Sequence, residues 1–94
     1  MVLFTLTRAG FEEMRPLVTR AVAVWTNCGV LSDQEMNELR ARGVDLTSFT
    51  KSVDPHDSAE IESAISIIAE HHPMERIWVE TSAAEILANG VGEV

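Results

Sequence analysis

Short apolar runs and segments of helical period alternate along this chain, and that alternation limits the fold more than any other feature. The first run, residues 2–7, is β-branched and aromatic enough for a strand. Phe11, Met14, Leu17, Val18 and Ala21 follow at helical spacing. A helix is therefore expected through residue 21, with Pro16 either kinking it or marking its true start. Residues 21–26 (Ala-Val-Ala-Val-Trp-Thr) form a continuous apolar run, the pattern of a strand covered on both faces. Asn27-Cys28-Gly29 then turns the chain.

The second helix carries the clearest local signals. Ser32 and Glu35 have capping-box spacing, and Leu31 with Met36 occupies the positions of a hydrophobic staple. Gly43 is placed to take the left-handed conformation that ends the helix, with Val44 falling back on Leu39. Residues 45–53 read as a weaker strand, and Lys51 among small polar residues suits a sheet edge. Asp57 with Glu60 opens a third helix, whose stripe of Ile61, Ala64, Ile65, Ile68 and Ala69 runs until Pro73 stops it. Ile77-Trp78-Val79 is a last short strand, and Ser82 with Glu85 begins a tail that is helical or frayed beyond Asn89-Gly90.

The order β-α-β-α-β-α-β predicts an α/β fold: a small, mostly parallel sheet of about four strands covered by helices. Residues 1–80 are expected to form this single domain, with 81–94 as the tail; 94 residues leave no room for a second domain. The second and fourth strands are the most apolar. The outline resembles a truncated flavodoxin-like or receiver-like domain. However, the first strand ends in Thr7-Arg8 where a phosphorylation receiver carries paired acids, so no family is assigned.

Charge and processing narrow the function. The chain has fifteen acids against seven bases, a formal charge of −8. That field argues against nucleic acid and against an anionic membrane surface. Residues 1–51 are balanced at six acids and six bases, whereas residues 52–94 hold nine acids against Arg76 alone. Self-association is therefore expected to use the neutral front half, where Trp25 lies. No run approaches the ~20 apolar residues of a membrane span. Residues 2–6 are too short, and lack the preceding basic residue, for a secretory signal. Cys28 is the one cysteine, so no intramolecular disulfide forms, and a cytoplasmic location is expected.

Ligands of open α/β sheets gather beyond the carboxyl ends of the strands. Here those ends carry Thr7-Arg8, Thr26-Asn27-Cys28, residues 52–57 and Glu80-Thr81. Asp54, His56 and Asp57 bring two carboxylates and an imidazole within four residues, suited to a divalent cation or acid–base work. They also suit a rigid loop in which Asp57 caps the next helix. Cys28, after a strand and near a helix start, has the setting of a lowered-pKa nucleophile, or of a small apolar residue. His71 and His72 look like paired ligands, but neighbours on a helix point about 100° apart, and a helix C-terminus favours them anyway. Trp25 and Trp78 belong either to the core or to an interface.

The glycines stand apart at 10, 29, 43, 90 and 92, so no phosphate-cradling loop exists. Each expected helix also has acids in or near its first turn: Glu12 and Glu13, Asp33 and Glu35, Glu60 and Glu62, Glu85. Those acids oppose a nucleotide ligand. No cofactor is indicated. The reading is a non-enzymatic binding or interaction module that takes a protein partner or self-associates. The alternative is a small enzyme or metal-dependent domain working through Cys28, Asp54, His56 and Asp57, with Asn27 nearby and Arg8 holding an anionic group.

Overall fold

Parallel strands cannot be joined by a tight turn; each pair needs a crossover, and the three helical segments supply one apiece. The computed structural model describes residues 1–80. They run β1 (Val2–Thr5), α1 (Arg8–Met14), a 3-10 turn (Arg15–Leu17), β2 (Ala23–Thr26), α2 (Asp33–Ala41), β3 (Asp45–Ser48), α3 (Ser58–His71) and β4 (Ile77–Val79). The expected tail lies outside the described residues. All pairings are parallel, in the order β3-β2-β1-β4. The α/β class and the parallel sheet expected from the sequence are therefore present.

The strand order differs from the flavodoxin-like outline, in which the chain reverses after its second strand. Here three strands are laid down in one direction before β4 returns to the far side of β1. With right-handed crossovers, that reversal sends the third helix to the opposite face. The two cores agree. Phe11, Val24, Val30, Leu31, Val44 and Leu46 pack on the face of α1 and α2, with Met36 and Leu39 against them. Val2, Phe4, Leu6, Ala23, Trp25 and Val53 pack with Ala64 and Ile68 of α3 on the other. Ala69, expected in the α3 stripe, is exposed.

Local departures from the expected elements have local causes. α1 stops at Met14 instead of reaching residue 21; Pro16 neither kinks nor starts it, but sits in the first turn of the 3-10 segment that ends it. Proline lacks an N–H and crowds the preceding turn, so the α-helix cannot pass through it. β1 ends at Thr5 because Thr7 is the N-cap of α1, its hydroxyl accepting from the Gly10 N–H. β2 begins at Ala23, leaving Ala21 exposed. β3 is an edge strand, as expected, but spans only Asp45–Ser48; Phe49 and Val53 pack into the α3 core from a loop. β4, among the most apolar strands, is nevertheless the opposite edge.

α2 follows its sequence signals closely. Ser32 and Glu35 make the reciprocal capping box. Gly43 has φ of +91°, and the Gly43 and Val44 N–H groups donate to Arg40 and Leu39 carbonyls, which is the Schellman ending. At the start of α3 the Asp57 carboxylate accepts from the Ala59 and Glu60 N–H groups.

Candidate functional site

The carboxyl ends of the strands are held together by one buried amide. Asn27, 4% exposed, donates through Nδ2 to the Leu6 and Val53 carbonyls at 3.0 and 2.7 Å. Its Oδ1 accepts from the N–H groups of Cys28 and Val53, both at 2.8 Å. One side chain thus joins the ends of β1 and β2 to the loop after β3. With its donors and acceptor already engaged, Asn27 is a clasp between three segments.

The reversal of strand order lies between β1 and β4, the place where open α/β sheets usually receive ligands. A side chain of this protein fills it. The Glu80 carboxylate, from the residue after β4, accepts from the N–H groups of Leu6 and Thr7 and from the Thr7 hydroxyl. Glu80 is buried, and Gly10 in α1 makes the approach possible: a Cβ there would lie 1.9 Å from the Glu80 Cδ. α1 itself has no acid in its first turn; Glu12 and Glu13, expected in or near that turn, lie just beyond it. Once the helix starts at Arg8, those acids fall in its second turn. Strand-end geometry places Glu80 near this crevice, but nothing in the sequence marks it as the partner of the Leu6 and Thr7 N–H groups.

The candidate side chains are mostly engaged in holding the structure. Arg8 pairs with Glu12 at 2.8 Å and with Glu35 at 2.7 Å, joining α1 to α2. Arg15 also pairs with Glu12 at 2.8 Å. The Arg15 hydrogen bond, reinforced by both guanidinium charges, pulls the Glu12 carboxyl down to about 2. Glu35 is lowered by the Ser32 backbone N–H and by Arg8. Asp54 Oδ1 accepts from the His56 N–H at 2.9 Å, and Asp57 caps α3. Among the described residues, no three His, Cys, Asp or Glu side chains are grouped to hold a metal ion. Cys28 is exposed at the end of β2.

The aromatic residues separate cleanly. Trp25 is 6% exposed, with Phe49 at 5.4 Å and the His71 and His72 rings at 5.4 and 6.1 Å between centroids. It is core, and it offers the neutral half no surface for association. The two histidines line its edge instead of facing one ion, and His72 Nδ1 also meets Glu75 at 2.9 Å. Trp78 is 51% exposed on the α1 face of β4.

A groove of about 350 Å³ opens elsewhere, between the loop after β3 and the first half of α3. Phe49 and Val53 form its floor with Ala64, and Ile67 forms one wall. Lys51 and Glu60, both exposed, stand on its rim with Ser52 and Ser63. Sequence reasoning missed it because residues 49–53 read as strand; the groove exists only because they form a loop that leaves α3 partly uncovered. A smaller space of about 70 Å³ between α1 and α2 is lined chiefly by the Arg15, Glu35, Glu38 and Arg42 side chains. No protein-family model, curated protein or solved structure matches this chain.

Proposed function

We propose that the chain is a non-enzymatic binding module whose α3 groove receives an apolar side chain from a partner polypeptide. The observation that carries this reading is the groove itself: an apolar floor of Phe49, Val53 and Ala64, flanked by Ile67, with one cation and one anion on the rim. Apolar concavities with a few placed polar groups are the usual form of a binding site. A rim of mixed sign fits a polypeptide, which presents apolar and polar groups together, better than a strongly charged small molecule. The employment of Asn27, Asp57 and Arg8 in structural contacts supports binding over catalysis. Glu80, on the N–H groups at the strand reversal, opposes a phosphate ligand there.

A displayed library of short random peptides, selected on the intact protein, tests this. Selected peptides should share an apolar anchor and lose at least tenfold in affinity for Ile67→Glu, while Cys28→Ser leaves binding unchanged. Ile67 is 44% exposed, so the substitution should leave the core intact. Peptides that bind Ile67→Glu as well as the natural sequence would overturn the reading.

A further inference from the structure

Edge strands expose unpaired backbone groups, and proteins usually blunt them with charge, proline or a bulge. The two edges of this sheet differ. β3 reads Asp-Leu-Thr-Ser, with Leu46 turned into the core. β4 reads Ile-Trp-Val, uncharged, with Trp78 half exposed. Its ladder to β1 fixes which groups face outward. The Val2 N–H donates to the Arg76 carbonyl, the Glu80 N–H donates to the Phe4 carbonyl, and Leu3 stands beside Trp78. By the alternation of a strand, residues 76, 78 and 80 direct their peptide groups toward β1. Ile77 and Val79 direct theirs outward, where no strand among the described residues pairs with them.

We propose that this edge pairs with a second copy of the chain: β4 runs antiparallel to its counterpart about a two-fold axis at Trp78, making one sheet continuous across both copies. In that register Ile77 lies opposite the second copy's Val79. Both residues have outward-facing peptide groups, so each such pair exchanges both of its hydrogen bonds. Trp78 lies opposite itself at a non-hydrogen-bonded position, where Cα atoms approach to about 4.5 Å and aromatic pairs are favoured. The exposed indoles cover each other on the α1 face. Arg76 lies opposite the second copy's Glu80, whose carboxylate is buried against Leu6 and Thr7 of its own copy, so no like charges meet across the seam. The pattern is self-complementary, as a two-fold interface requires.

This surface lies in the acidic half of the chain, which the charge distribution alone disfavoured. The acids Glu60, Glu62 and Glu70 belong to α3, which packs on the sheet face opposite Trp78; the strand between Arg76 and Glu80 carries no charge. A three-residue edge is short, so the dimer should depend on concentration. The groove on α3 is a separate surface, and the two proposals fail or stand independently.

Sedimentation of the full chain should show mass rising from 10.4 kDa toward twice that value with concentration. Trp78→Lys should stay monomeric with an unchanged far-UV circular dichroism spectrum. Register is read by oxidation of Cys28→Ser variants. Trp78→Cys should cross-link to itself, and a mixture of Ile77→Cys with Val79→Cys should form the mixed dimer in preference to either homodimer. A strict monomer with Trp78→Cys uncross-linked would overturn the proposal. Mass beyond a dimer would overturn it in favour of head-to-tail pairing, and cross-linking without the mixed-pair preference would overturn the register.

Discussion

α1 and α2 stand side by side on one face of the sheet, and each is capped by a hydroxyl, yet the chain leading into them is held by different means. At α2 the partners are three residues apart: the Ser32 hydroxyl and the Glu35 N–H at 3.1 Å, with the Glu35 carboxylate returning to the Ser32 N–H. At α1 the residues that lead into the helix are held by Glu80, more than seventy positions along the chain. The α2 start is complete once a single helical turn forms; at α1 the Thr7 cap on the Gly10 N–H is equally local, but the Leu6 and Thr7 N–H groups wait until β4 is docked beside β1. The difference is one of folding order as well as contact. α2 can be stabilised locally, whereas the Glu80 contact rewards completion of the sheet.

Removing Glu80 should therefore have the largest effect. Glu80→Ala strands two N–H groups and a hydroxyl at a site where Glu80 is 8% exposed. Buried donors left unpaired cost roughly 1–3 kcal/mol each, so about 3 kcal/mol of stability should be lost in denaturant unfolding. Amide exchange at Leu6 and Thr7 should accelerate alongside. A loss below about 1 kcal/mol would mean that water takes over the carboxylate's role.

Gly10→Ala tests the same contact by sign. In a helix interior this change ordinarily stabilises by about 1 kcal/mol. Here the new methyl meets the Glu80 carboxylate at 1.9 Å, so a loss of about 2 kcal/mol is expected from overpacking. In a Glu80→Ala background the obstacle is gone, and the same substitution should become neutral or stabilising. Strict additivity in this double-mutant cycle would break the assignment.

Ser32→Ala is the matching test at α2, with an expected loss of about 1 kcal/mol, the usual cost of an N-cap. Its effect should stay local, leaving exchange at Leu6 and Thr7 untouched. If Ser32→Ala destabilised as much as Glu80→Ala, the contrast between a local and a remote closure would fail.

This contrast also explains what the sequence made legible. Ser32, Glu35, Gly43 and Val44 act across three to five residues, and a reader of the sequence finds them because the chemistry is written within about one turn. Thr7 as an N-cap and the 3-10 turn at Pro16 depend on similar distances, but the apolar periodicity running through them points to a longer helix. The position of β4 was hidden for another reason. Ile77 and Val79 are apolar because α3 covers one face of that strand, and composition does not say whether a strand covered on one face also has a neighbour. The groove was least legible of all, since Phe49 and Val53 look alike as strand or as loop until α3 is placed against them.

The smallest effect expected is electrostatic, and it sets exposed pairing on α1 against the buried contact of Glu80. Glu12 sits between Arg8 and Arg15, and its carboxyl is held at about 2, against about 4.3 for an unperturbed glutamate. Because the folded value is the lower one, any stability this gives is fully present above the unfolded value. It is lost as pH falls from there through about 2. All three side chains are well exposed, so the contribution is small and weakens with salt. The measurement is a carbon-13 carboxyl titration of Glu12. Arg15→Gln should raise its midpoint toward the ordinary value, since the Arg15 hydrogen bond is the largest cause of the shift. Arg8→Gln should raise it less, because Arg8 also engages Glu35 across the helix pair. Equal shifts from both substitutions would mean that the field of the two charges, and not the Arg15 hydrogen bond, holds Glu12 ionised.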